Sequence, residues 1–274
     1  MNILLTGQCS LHWGRMEYGN IGNYYIFEPL LINLNKQFQN CEIYTTFQCS
    51  EELCDKFKLK CLPLEYYYSF DNQKQNLQHA LVETMISNYN INQTEFIKCV
   101  KKVDIVIQFD GDIWGDNADF IGEDRFLVGL LKSVVLQSWN KNVYMIAGSP
   151  GPFKKYTFML PLIKKIYNNF KVVTNREPIS SCKLKELDFQ LENTFTLPCP
   201  SFLFQSNIPE KKIEDILEKE NLLAISKDSA IKLVGFVLCG WNMPEGPYNK
   251  TKRDNTEFQE FIKFITYLLE HYDD

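Results

Sequence analysis

The sequence predicts an α/β protein whose first part, residues 1–205, is a doubly wound, Rossmann-like parallel sheet, followed by the start of a second α/β domain. Three observations carry that expectation. Short apolar runs alternate with segments whose apolar residues recur at three-and-four spacing, the pattern of strand–helix–strand units. Two of the runs, DIVIQF and VYMIAG, are almost wholly apolar, as strands are when helices cover both faces of a parallel sheet. Most of the runs give way to a polar or glycine-bearing loop, the kind of segment that carries ligands at the carboxyl ends of parallel strands.

In chain order, the expected strands are Ile3–Leu5, Glu42–Thr46, Asp104–Phe109, Val143–Ala147, Val172–Thr174 and Phe195–Leu197. Helical periodicity falls on Tyr24–Phe38, Phe126–Asn140 and Tyr156–Phe170. Right-handed crossovers then wind the helices onto both faces. The stretch Tyr66–Lys102 is polar and helical in pattern, an excursion between two strands. Past residue 205 the character changes. Residues 206–232 read as a linker holding a charged helix, Pro209–Asn221, with proline at a position suited to a first turn. Residues 233–274 open a second domain: a strand Leu233–Cys239, a turn-rich segment, and a helix Asn255–Tyr272 capped by Asn255. Its apolar face (Phe258, Phe261, Ile262, Ile265, Leu268, Leu269) has no complete domain to cover it. The expectation is a truncated second domain whose helix packs on the first or makes a contact between copies, a homo-oligomer.

Composition narrows the function. Lys+Arg 29 against Asp+Glu 34 gives a net charge of -5, which speaks against gripping nucleic-acid backbones. No apolar run reaches the roughly 20 residues of a transmembrane helix, and the start MNILLTGQCS has none of the features of a secretion signal. The expected compartment is the cytoplasm, including the inner face of the membrane. Nine cysteines, an odd number without a C-x-x-C pair, suit reduced thiols rather than a disulfide framework or a zinc site. Only four cations are arginine: Arg15, Arg125, Arg176 and Arg253. Where lysine is the default, a retained arginine points to a planar, two-pronged need such as a carboxylate or phosphate.

The candidate site lies in the loops. After the first strand, Tyr18-Gly-Asn-Ile-Gly-Asn-Tyr24 opens a helix, with Gly19 and Gly22 allowing close backbone approach and Asn20 and Asn23 beside free amides suited to an anion or sugar oxygen. A plain glycine turn is the competing reading. After DIVIQF comes Asp110-Gly-Asp-Ile-Trp-Gly-Asp-Asn-Ala-Asp119, whose carboxylates either hold a cation or cap backbone amides; no metal is expected. Ser149 sits in the rigid turn Gly148-Ser-Pro-Gly-Pro152, and Arg176 ends a strand just before a helix begun by Pro178. Arg176 either binds an anion or pairs structurally with Glu177 or an aspartate. His12, in the first loop, either exchanges protons or is a solvated loop histidine.

In their order and spacing, Gly19-Asn-Ile-Gly22, the D-G-D loop, Asn175-Arg176-Glu177 with Ser180 downstream, and Pro200-Ser-Phe-Leu203 resemble the polysaccharide pyruvyl transferase family. The longer strings DGDIWGDNAD, AGSPGPF, VTNREPIS and GFVLCGWN resemble one branch of it, and the resemblance covers essentially the whole chain. It implies two domains arranged as in GT-B glycosyltransferases, with the site in the cleft between them. It also implies transfer of the pyruvyl unit of phosphoenolpyruvate, as a ketal, to a sugar of a cell-wall or capsular glycan, the acceptor being a glycan or lipid-linked sugar. The family's glycine loop falls on Gly19, Asn20 and Gly22, and its arginine before a serine-bearing helix falls on Arg176. The aspartate usual after the glycine loop is Asn23 here, and the family's D-P-A reads Cys199-Pro-Ser201.

Such chemistry assigns roles. Phosphoenolpyruvate needs guanidinium forks and oriented amides, which points to Arg176, Ser149 and the glycine loop. A proton must reach its methylene carbon and leave the attacking hydroxyls, work suited to His12, Asp110 and Asp112. No cofactor is expected. Two rival functions remain: a nucleotide-sugar glycosyltransferase, favoured by the acidic D-x-D loop, and a non-catalytic glycan-binding domain.

Overall fold

The structure is a computed structural model that describes residues 1–7, 16–17, 21–63, 73–86, 94–117, 123–140, 142–222 and 256–271. The chain divides into two compact units, Met1–Gln205 and Ser206–Asp274. In the first, β1 (Asn2–Thr6) is followed by α1 (Ile21–Gln37), β2 (Glu42–Thr45), α2 (Glu51–Phe57), β3 (Leu59–Cys61), α3 (Gln73–Ile86) and α4 (Glu95–Lys102). Then come β4 (Ile105–Phe109), α5 (Glu123–Trp139), β5 (Val143–Gly148), α6 (Leu160–Asn168), β6 (Val172–Asn175), α7 (Pro178–Glu186) and β7 (Thr194–Thr196). The second unit contains α8 (Glu210–Lys219) and α9 (Thr256–His271) among its described residues.

All seven strands are parallel, in the order β3-β2-β1-β4-β5-β6-β7. The fold is therefore the doubly wound α/β sheet that the sequence predicts. Strand order runs outward in both directions from β1 and β4, so right-handed crossovers put the helices of the two halves on opposite faces. Covered on both sides, Ile3, Leu4, Leu5, Val106 and Val143 have no exposed surface. Sealing a large side chain such as Phe27, Phe96 or Phe126 in this way contributes about 1.5–3 kcal/mol each.

Each of the six expected strands is present, shifted by no more than a residue or two at its ends. The strand missed is β3, whose sequence LKC has no apolar run to announce it. It forms because α2 ends on Lys58 in the left-handed conformation, which turns the chain back beside β2. The polar excursion resolves into α3 and α4; Thr94 starts α4 by accepting from the Ile97 amide, as Ser50 starts α2 by accepting from that of Leu53. The expected strand 233–239, its following turn and the Asn255 cap lie outside the described residues. In α9, Ile262, Ile265 and Leu269 are exposed, Leu269 at 74%.

Candidate active site

Because every strand is parallel, the segments leaving them share one edge of the sheet, and the strand order reverses between β1 and β4, where such sheets open a crevice. Gly7 leaves β1 at this point and Asp110 leaves β4. They are pressed together: a Cβ on Gly7 would lie 1.9 Å from the Phe109 carbonyl oxygen and 3.2 Å from Asp110 Oδ1. Beneath them is a buried polar cluster. The Gln108 amide donates to the Asp110 carboxylate, Ser133 Oγ donates to Gln108 Oε1 at 3.1 Å, and Lys132 Nζ donates to the Gly7 carbonyl at 2.9 Å. Gln108 and Asp110 are fully buried and Lys132 is 3% exposed. Burying an ammonium and a carboxylate is costly unless other polar groups meet them, so this cluster fixes where β1 and β4 let go of the chain.

Sequence reasoning missed Gln108, Lys132 and Ser133. Their signal is nonetheless there: one polar residue interrupts the apolar string IVIQF, and two adjacent ones interrupt LVGLLKSVVL.

The two acidic candidates separate. Asp110 is fully buried against Gln108, whereas Asp112, two residues on, is exposed. Asp116 behaves as a loop fastener, its two carboxylate oxygens each 2.9 Å from the Lys154 and Lys155 amides. The acidic loop is laced to the β5 exit loop by further backbone bonds, Ser149 N to Gly111 O at 2.8 Å and Gly151 N to Trp114 O at 2.7 Å. A Cβ on Gly115 would stand 2.8 Å from the Gly151 backbone, so the two loops touch directly. Among the described residues, no group of three or more histidine, cysteine or acidic side chains has the arrangement of a metal site.

Ser149 and Arg176 come together. Arg176 Nε donates to Ser149 Oγ at 2.6 Å, and the Arg176 amide donates to the Gly148 carbonyl at 2.9 Å. The side chain is half-buried and forms no ion pair among the described residues. The alternative of a structural arginine paired to Glu177 does not occur: Glu177 Oε1 accepts from Ser180 Oγ instead. Using Nε on a serine leaves the two terminal nitrogens of the fork for another group.

Ser149, though not Arg176, lines a cavity of about 430 Å³ between the β5 exit loop and α7, together with Phe153, Lys154, Glu177, Ser180 and Lys183 among others. That volume lies within the range of small-molecule sites. Glu177, one of the lining residues, has a buried oxygen, Oε2, without a hydrogen-bond partner among the described residues, and so does Asn175, at Oδ1. Two orphaned acceptors on either side of Arg176 are an unusual concentration, since buried polar atoms are nearly always paired.

Of the glycine loop, Gly22 is exposed in the first turn of α1 and Asn23 is 8% exposed. His12, Gly19 and Asn20 lie outside the described residues.

A family model for polysaccharide pyruvyl transferase matches residues 20–272, nearly the full chain. The chain belongs to the polysaccharide pyruvyl transferase family. Membership makes it a transferase-type protein of polysaccharide biosynthesis, with a glycan as the class of acceptor. No curated protein matches the chain. Within this family protein, no helix among the described residues is long and apolar enough to cross a membrane.

Proposed function

We propose that the chain transfers the pyruvyl group of phosphoenolpyruvate to a pair of hydroxyls on a glycan or lipid-linked sugar, forming a ketal. The observation that carries this reading is the Ser149–Arg176 pair at 2.6 Å, whose serine lines a cavity and whose arginine forms no ion pair among the described residues. The guanidinium, aligned by Ser149, offers its remaining edge to the carboxylate or phosphate of the donor. Gly22, Asn23 and the first-turn amides of α1, with Gly19 and Asn20 before them, add neutral donors to an anion at the same sheet edge.

Protonation of the donor's methylene carbon leaves cationic character on the adjacent carbon. A sugar hydroxyl attacks there, phosphate departs, and the second hydroxyl closes the ring. His12 is the proton donor in this scheme. Asp112, exposed on the β4 loop, and Glu177, which lines the cavity, are the bases for the two hydroxyls. Asp110 acts as a positioning residue that holds the loop through Gln108. The proposed enzyme is of GT-B type, cytoplasmic and self-associating.

The test is calorimetric titration of the full chain with phosphoenolpyruvate and, in parallel, with a uridine diphosphate sugar. Saturable binding of phosphoenolpyruvate alone supports the reading. Binding of the nucleotide-sugar alone would transfer the site to a glycosyltransferase, and binding of neither would leave a glycan-binding domain.

A further inference from the structure

On the far side of the sheet from Arg176, at the carboxyl end of the edge strand β3, three cysteines meet. Cys49 precedes the Ser50 cap of α2, Cys54 lies in α2, and Cys61 ends β3. The left-handed turn at Lys58 (φ 54) brings the end of β3 back alongside α2, leaving Cys54 Sγ and Cys61 Sγ 3.4 Å apart. Cys49 Sγ and Cys61 Sγ both reach the Phe47 carbonyl, at 3.7 and 3.4 Å. Cys61 is exposed, while Cys49 and Cys54 are half-buried. Nothing in the pyruvyl-transfer scheme uses these thiols.

We propose that Cys54 and Cys61 form a thiol–disulfide pair, with Cys61 as the attacking sulfur, reacting with low-molecular-weight disulfides. The Cys61 thiolate attacks one sulfur of such a disulfide, whose S–S bond breaks and whose other half leaves as a thiolate that takes up a proton. Cys54 then gives up its proton and attacks Cys61 Sγ, releasing the second half. Two protein thiols are oxidised to one disulfide, and one small disulfide is reduced to two thiols.

The contact has the asymmetry that this order of attack needs. Hydrogen bonds from Cys49 and then Cys54 hold the Cys61 thiol well below its ordinary value, at about 6, against the opposing pull of burial and of the Glu17 carboxylate. Burial, and the hydrogen bond given to Cys61, push Cys54 up to about 12. The hydrogen bond to Cys61, and burial, push Cys49 up as well. The exposed Cys61 sulfur is thus the more acidic and the more accessible of the pair, and Cys54 stands within reach to resolve the mixed disulfide. The 3.4 Å separation must close to a bond of about 2.05 Å, a movement within the range of side-chain rotation.

The test uses the reduced full chain, with the exposed Cys182 of α7 as internal control. With iodoacetamide at pH 7, Cys61 should alkylate about tenfold faster than Cys182. After oxidised glutathione is added, peptide mapping should find Cys54 joined to Cys61, reversibly with dithiothreitol. In Cys54→Ser, glutathione should instead remain attached to Cys61. Equal alkylation of Cys61 and Cys182, or a map in which Cys54 and Cys61 both stay as thiols, overturns the proposal. A Cys49–Cys61 link overturns the assigned pairing. The wild-type map decides the matter even if the variant does not fold.

Discussion

Arg176, Glu177 and Asn175 are three consecutive residues with different tasks, and the reason is where each points. Arg176 is tied through Nε to Ser149, Glu177 through one oxygen to Ser180, and Asn175 through its amide nitrogen to Ser181 at 3.0 Å. The arginine and its neighbouring serine were legible as candidates because each stands at a strand end in a lysine-rich chain. The partner of the arginine was not legible, since adjacency of Arg176 and Glu177 in sequence says nothing about which way a side chain leaves an extended residue. If Glu177 serves as a base, Glu177→Gln should lower phosphate release from phosphoenolpyruvate in the presence of cell-wall glycan by about a hundredfold or more. Donor binding and melting temperature should stay near those of the parent chain; a fall in melting temperature alone would reduce Glu177 to a helix-capping role. Lys132 supports the site from below. Lys132→Met leaves the buried Gly7 carbonyl without its donor, and denaturant unfolding should show a loss of about 1–3 kcal/mol.

Among elements, the strands were readable and the loops only partly so. Apolar runs five or six residues long mark β4 and β5 because their side chains are covered on both faces. β3 carries no such mark: of its three residues only Leu59 is buried, and its place is set by the turn at Lys58. The acidic loop shows the same limit. Its spacing suggested a set of equivalent carboxylates, but packing gave them different environments: Asp110 enclosed, Asp112 exposed and Asp116 fastened to two amides. The junction of the β1 and β4 exits depends on the lack of a side chain at Gly7. In Gly7→Ala the new methyl would meet the Phe109 carbonyl at 1.9 Å, a backbone atom that cannot swing aside. Thermal unfolding should report a loss of about 3 kcal/mol or more, unless the strands separate, which would move Asp110 as well.

At the scale of the whole molecule, one seven-stranded sheet brings segments far apart in sequence to a common edge, and this gathering was foreseeable from alternation alone. The two compact units predict independent behaviour: residues 1–205 expressed alone should unfold in one cooperative transition with a near-native far-ultraviolet spectrum. A broad, non-cooperative melt would show that the sheet needs the remaining residues. The central claim is that the Ser149–Arg176 pair receives the donor anion, and Arg176→Lys probes it most directly. Lysine keeps the charge and loses the planar fork. Phosphoenolpyruvate should bind the variant roughly thirty- to a thousandfold more weakly, a loss of about 2–4 kcal/mol, while thermal unfolding is unchanged. Equal affinity for phosphoenolpyruvate in the parent chain and in Arg176→Lys would contradict the account.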